Sequence, residues 1–520
     1  MEARQGFSIV SGWAINPKTG LMTRPRTAPR SKARFYSAAS NEAFVGWDVV
    51  DASPNASLHG SAIKLLARAR DLERNNDYIR AYLRLNEINI IGPQGVTLRP
   101  CKKKERGDRQ LDDDFNDDFK AWYKLAGKLR HSPTIEGGMS RIDIGKMWNR
   151  RLDVDGEVIL IRRYGEKWNR FGYARQFIDA AQLDHSLNGR GYPTAAPGNM
   201  LKMGVEVDED DRPVAYHFLT AHPSEHLWSA DRKREHVRIE AKFVEHSFIK
   251  ERPGQMRGVS NIAPGAVRAR MLDKFEEAIA VGARVAASKM GFYTTDENYD
   301  GGGEDDEGEP GVTDDDGFSL RQEVEPGMFE KLAKGMGVET FDPGYPPGNL
   351  DEFVLTMGRG LAASLGANYF LMCNDMKGIS YSTMRGVELS MREVYRMRTR
   401  FYVEHHLEPD LQAATEAGIL VGSVPEEGKA RKMLDEECYR FQGRGFTWVD
   451  PTKDMQANKD AVELGVTSEQ RLIEEIHGEE MQTILEEKAA FKEQAETLGL
   501  TVYEGTAPSA PNQSHAEDDE

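Results

Sequence analysis

The stretch from Asp296 to Asp316 constrains the fold of this 520-residue chain more than any other. It contains eleven Asp or Glu residues and five Gly, with neither Lys nor Arg. Because like charges at this density repel one another, the stretch cannot pack into a core, and we predict a solvated or disordered loop. The helical patterns that flank it must therefore belong to a fold that carries the loop as a surface excursion.

A long helix is predicted before this loop. Pro264 suits its first turn, and the pattern continues to about Met290, a length of roughly 40 Å at 1.5 Å per residue. Such a length suits a rod better than a compact core element. The predicted apolar face consists of residues at mostly three- and four-residue steps, namely Val267, Met271, Phe275, Ile279, Gly282 and Ala286.

Beyond the loop, the sequence predicts a helix, a glycine-bounded loop and a second helix. These three pieces are Leu350–Leu365, residues 366–380, and Tyr381 to about His405. Ser382 is the predicted N-cap of the second helix. The loop exposes four apolar side chains unless something covers them, namely Tyr369, Phe370, Leu371 and Met372.

The second helix is locally basic in an acidic chain. Its arginines could face DNA or pair with acids on a neighbouring chain. Pairing is favoured, because the segment alternates with Glu and apolar residues rather than forming an uncompensated basic stripe. The five residues are Arg385, Arg392, Arg396, Arg398 and Arg400.

The first half of the chain mixes helical and strand patterns. Helical periodicity occurs in residues 58–89, 111–129 and 140–152. Strand patterns follow in an apolar run at residues 158–161, in LKMGVEV and PVAYHFL, and in the alternating segment VRIEAKFVEHSFI. We therefore predict an α+β fold, with a sheet carried on surrounding helices.

One pattern of residues runs through the helix–loop–helix stretch: an arginine, Leu-Gly, an aromatic residue, an aspartate, and Tyr-Ser before another arginine. The positions are Arg359, Leu365, Gly366, Tyr369, Asp375, Tyr381, Ser382 and Arg385. This pattern resembles that of the lambda-type portal proteins of tailed bacteriophages, with Thr383 where a second serine is usual. Further matches occur in the family's order, at Arg68–Arg84, Ile90–Gly95, Arg252–Pro264 and Phe446–Asn458.

The resemblance implies a portal fold, mainly helical, with a wing sheet. Subunits of this family form a ring of about twelve copies at one capsid vertex. By analogy the chain divides into a flexible basic N-terminal arm (1–56), an α+β wing (57–262), a stem helix (263–291), a clip with the acidic loop (292–349), a second stem helix (350–365), a tunnel loop (366–380), a wing helix (381–407), a helical crown (408–500) and a disordered tail (501–520).

The resemblance also implies function and partners. The ring would be a channel for genome packaging and ejection, located in the virion. Its implied partners are other copies of the chain, double-stranded DNA, the terminase large subunit, the capsid protein, and head-completion, connector or tail proteins. Candidate channel-lining residues are Tyr369, Phe370, Leu371, Met372, Asp375 and Lys377.

Composition agrees with a globular protein that lies outside membranes. No run of 18 apolar residues occurs, and the N-terminus lacks the apolar core of a signal peptide. Cys101, Cys373 and Cys438 are isolated, so we expect neither disulfides nor a zinc cluster, and we expect synthesis in a reducing cytoplasm. A net charge of -17 argues against tight binding of DNA phosphates, although DNA could still pass as cargo.

Catalytic signatures are missing from the sequence. There is no P-loop, no G-x-S-x-G and no H-E-x-x-H, so we predict no enzyme activity, no cofactor and no metal. His222 and His226 have a helical metal-ligand spacing, but Pro223 interrupts the turn and a third ligand is not evident. His405 and His406 point about 100° apart on a helix, which favours a surface or packing role over a ligand pair.

Two other classes of protein remain open from the residues alone. A monomeric adaptor or scaffold could bind a partner through the long helices, since faces buried within and between subunits have the same periodicity. A metal-dependent DNA-processing enzyme would need carboxylates brought together from structured elements. A closed ring would distinguish a portal from both.

Overall fold

The computed structural model describes residues 9–10, 13–15, 22–23, 52–100, 113–225, 235–287, 291–295, 336–340, 350–446, 451–477 and 481–498. The predictions for the basic residues of the N-terminal arm, for the acidic loop and for the tail lie outside these residues. The chain divides into two units, residues 1–53 and 54–520, which are described separately.

The first unit contains three short strands, although we predicted a flexible arm. They are β1 (Ile9–Val10), β2 (Trp13–Ile15) and β3 (Met22–Thr23), which pair antiparallel in chain order. Strands of two or three residues are too short for a periodic signal, which explains why the pattern analysis missed them. The predicted boundary at residue 56 is also displaced, because the first helix of the second unit begins at Pro54.

The second unit is mainly helical, and the predicted α+β class is confirmed. Its helices are α1 (Pro54–His59), α2 (Ala62–Asn75), α3 (Asp77–Asn86), α4 (Asp113–Ala126), α5 (Arg141–Val154), α6 (Ala263–Ala287), α7 (Leu350–Leu365), α8 (Tyr369–Met372), α9 (Tyr381–Tyr402), α10 (Glu408–Leu420), α11 (Glu427–Asp435), α12 (Pro451–Glu463), α13 (Glu469–His477) and α14 (Met481–Thr497).

The described strands of this unit form four small antiparallel sheets. The strands are β4 (Thr97–Pro100), β5 (Glu157–Tyr164), β6 (Tyr173–Ile178), β7 (Met200–Lys202), β8 (Val205–Val207), β9 (Pro213–Leu219), β10 (His236–Glu240), β11 (Val244–Phe248), β12 (Gly291–Thr295), β13 (Met336–Thr340) and β14 (Tyr439–Gln442). The sheet orders are β10-β9-β8-β7, β11-β5-β6, β12-β13 and β14-β4.

The two larger sheets share one apolar core. Ile159 and Ile161 of β5 cluster with Val205 of β8 and Phe218 of β9. The segment VRIEAKFVEHSFI, predicted as one alternating run, is divided between these sheets: β10 belongs to one and β11 to the other. A short 3-10 turn at Ala241–Phe243 separates the strands, and the alternation shifts by one position where it ends, since Phe243 and Val244 are adjacent apolar residues.

Buried charges lie beside this core. Arg257 is fully buried, and its guanidinium donates to Glu157 and to the carbonyl oxygens of Ala180, Leu183 and Met203 at 2.9–3.0 Å. Burial opposes ionisation of Glu157, but the charge of Arg257 outweighs it and lowers the pKa of this carboxyl below its usual value. The pair joins β5 to the segment that precedes α6.

Helices α6 and α7 form a long antiparallel pair. Gly265 near the start of α6 lies so close to α7 that a Cβ there would come within 2.5 Å of the Ser364 Oγ. The rings of Phe275 and Phe353 are 4.5 Å apart at the other end. Beyond the helices, β12 pairs with β13, so the chain segment between the two helices leaves and returns through one two-stranded ribbon.

The predicted apolar face of α6 lies only partly inside the unit: Phe275 packs against Phe353, but other members of the face are exposed. The side chains that pack inside the unit are those of Ala269 and Leu272, whereas Val267 is 61% exposed and Met271 is 60% exposed. Val281 lies on the same outer side and is 52% exposed. Helix α6 therefore has apolar residues on two sides, and α7 covers one of them.

The helix that we predicted to end near His405 continues beyond it. A π-helical turn at Val403–Leu407 connects it directly to α10. Asp410 of α10 is fully buried and accepts hydrogen bonds from the guanidinium of Arg175 on β6 and from the hydroxyl of Tyr173. This contact joins the C-terminal helices to the sheet region.

Candidate functional site

The candidate site is the short segment between α7 and α9, predicted as a loop. Helix α7 ends at Leu365, and the φ of the next residue, Gly366, is 62°. The Ala367 N–H donates to the Ala362 carbonyl oxygen at 2.9 Å, and the Gly366 N–H donates to that of Ala363 at 3.3 Å. This arrangement is a Schellman cap, and its left-handed residue favours glycine at the motif position.

The predicted loop contains a short helix, α8. Asn368 precedes it, is 3% exposed, and accepts a hydrogen bond from the Phe370 N–H at 3.0 Å. An asparagine N-cap satisfies a backbone donor at the start of a helix, which explains why even this short segment is helical. The prediction of an unbroken loop over residues 366–380 is therefore wrong.

The four apolar side chains of α8 differ in burial. Met372 is 3% exposed and clusters with Leu361 of α7 and Ile79 of α3. We expected these residues to be exposed unless something covers them, and Met372 is covered, since it belongs to the core of the subunit. Phe370 and Leu371 remain partly exposed, and their place in a channel lining stays a prediction.

Three of the motif positions meet at α8. The Arg359 guanidinium lies 5.8 Å from the centre of the Tyr369 ring, and the Tyr369 hydroxyl donates to Asp375 at 2.9 Å. Burial and this hydrogen bond raise the pKa of Tyr369 to about 12. The same bond lowers the pKa of Asp375, helped by the Lys377 N–H, which donates to the other carboxylate oxygen at 3.1 Å.

The remaining motif positions lie at the start of α9. Ser380, and not Ser382 as predicted, is the N-cap, since its hydroxyl accepts from the Thr383 N–H at 3.2 Å. The Arg385 guanidinium donates to Asp454 of α12 at 2.6 Å. Tyr381 is 55% exposed. The motif therefore has two parts, one around Tyr369 and one that links α9 to the C-terminal helices.

The basic residues of α9 pair with acids of their own chain. We predicted pairing with a neighbouring chain, and the difference arises because the acids on α9 itself or on elements packed against it are within reach. The five pairs are Arg385–Asp454, Arg392–Glu388, Arg396–Glu393, Arg398–Asp153 and Arg400–Glu404.

Asp153 is the centre of a buried network that the sequence analysis missed. It is fully buried, and besides Arg398 it accepts hydrogen bonds from Asn86 of α3 and Asn261 before α6, each at 2.8 Å. Burial disfavours the charged form of Arg398, but the charge of Asp153 outweighs this and raises the pKa of the guanidinium. The matched segment Arg252–Pro264 contains Asn261, but its partners are too distant in sequence to be predicted.

The described residues contain no group of three or more His, Cys, Asp or Glu that could hold a metal ion. His222 bonds to the Ser224 hydroxyl at 2.6 Å, and His226 lies outside the described residues. His406 is buried, as predicted for a packing role, and bonds to Glu245 at 2.8 Å. Among the described helices, none is long and apolar enough to cross a membrane.

Comparison with known proteins gives three findings. A family model described as phage portal protein, lambda family, matches residues 40–399. A probable portal protein of Halomonas phage phiHAP-1 is 29% identical over 461 residues, covering 88% of this chain and 85% of the relative. Among solved structures, the neck of a native gene transfer agent particle, computed with C12 symmetry, matches with a TM-score of 0.38 at 11% identity, covering 85% and 99% of the two chains.

A virion of the native gene transfer agent particle matches with a TM-score of 0.36 at 12% identity, covering 88% of this chain and 96% of that one. These structural likenesses are weak, whereas the family model covers most of the chain, including both parts of the motif. Portal proteins are in general structural components and not enzymes. The chain belongs to the lambda family of phage portal proteins.

Proposed function

We propose that this chain is the repeating subunit of a ring at one vertex of a phage capsid, and that DNA enters and leaves through the central channel. A ring of about twelve copies is the expectation for this family. In this proposal the protein acts by geometry and charge and catalyses no reaction. It is a virion component, made in the host cytoplasm.

The observation that carries the proposal is the uncovered apolar side of α6. Val267, Met271 and Val281 are separated by four and ten residues, which places them on one side of the helix. Helix α7 packs on the opposite side, so within the described chain this stripe has no cover. In a closed ring each subunit presents such a surface to its neighbour, which removes it from water.

The parts of the ring are proposed by analogy with the family. We assign α6 and α7 to the stem, the β12–β13 ribbon to the base of the clip, the sheet region and α9 to the wing, residues 366–380 to the tunnel segment, and α10 onward to the crown. Terminase and head-completion or tail proteins would bind at the clip, and the capsid protein would surround the wing.

Charge favours passage of DNA over binding. The chain carries a net charge of -17, and the five arginines of α9 each have a carboxylate partner. Since non-specific affinity for DNA rises with each Lys or Arg that contacts a phosphate, paired arginines in an acidic ring would leave the duplex free to slide.

The test is to express the full chain alone and to measure its mass while imaging it by electron microscopy. The proposal predicts closed rings of about twelve subunits with a central channel. A folded monomer at every concentration, from nanomolar to well above micromolar, would refute it and would favour an adaptor or an enzyme.

A further inference from the structure

A cleft of about 700 Å³ opens between β4, helix α4 and the start of α5. Its floor is apolar and includes Val96, Leu98, Ile142 and Leu407. A cavity of this size and composition is comparable with sites that bind ligands or peptide side chains. It lies in the sheet region and in the elements around it, away from α6, α7 and α8.

One wall contains a polar group that the described residues do not satisfy. Tyr123 of α4 is 4% exposed, and its hydroxyl has no hydrogen-bond partner among the described residues. The Arg141 guanidinium stacks on its ring at 3.5 Å, which fixes the position of the tyrosine. A buried hydroxyl without a partner is costly, and an occupant of the cleft could satisfy it.

The rim of the cleft is positively charged. Lys120, Lys124 and Lys128 line it at four-residue steps, two on α4 and one just beyond its end. Lys124 and Lys128 are exposed, and neither forms an ion pair with a described residue. The segment that joins β4 to α4, residues 101–112, has five basic and three acidic residues, so its charge does not complement this rim.

A strand edge also borders the cleft. Three consecutive residues of β4, from Thr97 to Arg99, line it, as do the three residues that precede the strand. Because successive side chains of a strand point to opposite faces, a consecutive run indicates that the cleft follows the backbone edge. Strand β4 pairs with β14 on one side, and the described residues contain no strand that pairs with its other side.

We propose that this cleft binds an extended, acidic peptide segment of a partner protein, which adds to β4 as a further strand. Its apolar side chains would fill the floor, and its carboxylates would face Lys124 and Lys128. A strand edge presents alternating main-chain donors and acceptors, which the backbone of an extended peptide matches and a lipid does not, and the apolar floor offers nothing to the phosphates of DNA. This inference does not depend on ring formation.

The test uses the full chain and a fluorescein-labelled peptide of seven residues that alternates Glu and Val around one central Phe. Fluorescence anisotropy is expected to show saturable binding. Reversing two charges with Lys124→Glu and Lys128→Glu should weaken it about tenfold or more. The control Lys64→Glu and Lys167→Glu changes two exposed lysines elsewhere and should leave the affinity unchanged.

A second pair of peptides tests whether binding occurs by addition of a strand to β4. One peptide carries N-methyl groups on its odd residues and the other on its even residues, with identical charge and side chains. Binding should be abolished only for the peptide whose N-methylated backbone nitrogens face β4, and the other peptide should bind normally. Circular dichroism of both double variants checks that the subunit stays folded.

Three results would overturn the proposal: no saturable binding of the unmodified peptide, equal weakening by the cleft and control variants, or equal tolerance of both methylated peptides. Binding of a duplex oligonucleotide, or of vesicles of anionic phospholipid, that is lost in the cleft variant while the peptide fails to bind would assign the cleft to a different class of ligand.

Discussion

The sheet region and the α6–α7 pair differ in how far one subunit covers its own side chains. Around the sheets, the buried carboxyls Glu157, Asp153 and Glu206 each have an arginine partner in the same chain. Along α6, the large apolar side chains of Val267 and Met271 stay uncovered. These buried charges are thus satisfied within one subunit, whereas in our proposal the apolar side of α6 is covered only on assembly. A substitution should therefore affect either folding or assembly according to the region that it changes.

The largest effect on folding is expected for Arg257→Ala. It leaves Glu157 buried without its partner and should lower the free energy of unfolding by roughly 3–5 kcal/mol. Chemical denaturation measures this loss. Arg270→Ala, which removes an exposed arginine of α6, is the control and should cost less than about 1 kcal/mol. A loss of similar size in both variants would mean that the sheet region does not depend on its buried pair.

The complementary variant is Val267→Lys with Met271→Lys. It should leave the subunit folded but abolish rings, because each contact would lose apolar burial worth about 1.5–3 kcal/mol per side chain and gain two charges. Ala280→Lys adds a charge to an exposed position nine residues after Met271, on the opposite side of α6, and should still form rings. Mass measurement and circular dichroism separate the two effects, and intact rings in the double variant would contradict the role of the stripe.

Within the tunnel segment, adjacent residues should likewise differ, because some are needed for folding and others for the function of the ring. Met372→Ala should destabilise the subunit by about 2–5 kcal/mol, since it opens a cavity in the core. Phe370→Ser with Leu371→Ser changes partly exposed side chains, and we expect rings to form while DNA packaging falls. Thermal unfolding and a packaging assay measure the two outcomes. Unfolding of the serine variant would instead place these residues in the core.

The pairing of Asp410 with Arg175 should appear in the dependence of stability on pH. Burial opposes ionisation of Asp410, but Arg175 lowers its pKa to about 2 from 3.8. As pH falls, Asp410 is therefore protonated in the unfolded chain before it is protonated in the folded one. The stability that the ionised Asp410 contributes, on the order of 2 kcal/mol, is lost as pH falls from about 4 to 2. Asp410→Asn should make the free energy of unfolding less dependent on pH in this range. An unchanged dependence between about pH 4 and 2 would contradict the role of Asp410.

The smallest effect is expected at the exposed end of the motif. Tyr369→Phe removes the hydrogen bond to Asp375, so the pKa of Asp375 should rise toward its usual value while the fold and the ring persist. Carbon-detected NMR titration of the carboxyl measures the change. An unaltered pKa would show that the Lys377 N–H alone sustains the shift.

Local patterns predicted several elements well. The bounds of α7 agree with the predicted Leu350–Leu365, because Gly366 is a strong end signal. The α+β class also follows from the sequence. The side of α6 that packs inside could not be predicted, since both sides carry apolar residues at helical spacing and periodicity does not identify the partner.

Long-range partners were beyond the reach of the sequence. Arg398 and Asp153 are 245 positions apart, and Arg175 and Asp410 are 235 apart, so no local pattern joins them. In the candidate site, Tyr369 and Asp375 are only six positions apart, but the motif named both residues without indicating that they form a hydrogen bond. The N-cap at Asn368 shows how one polar side chain created a helix in a segment predicted as a loop.

The β12–β13 ribbon has a practical consequence. Paired strands hold their backbones about 5 Å apart, so the segment between Thr295 and Met336 starts and ends at nearly the same point. The entropy of closing such a segment changes slowly with its length, by about 0.6 kcal/mol for each doubling. A reporter domain inserted there should leave the helix pair undisturbed, which offers a way to label one vertex of a particle and follow it under the microscope.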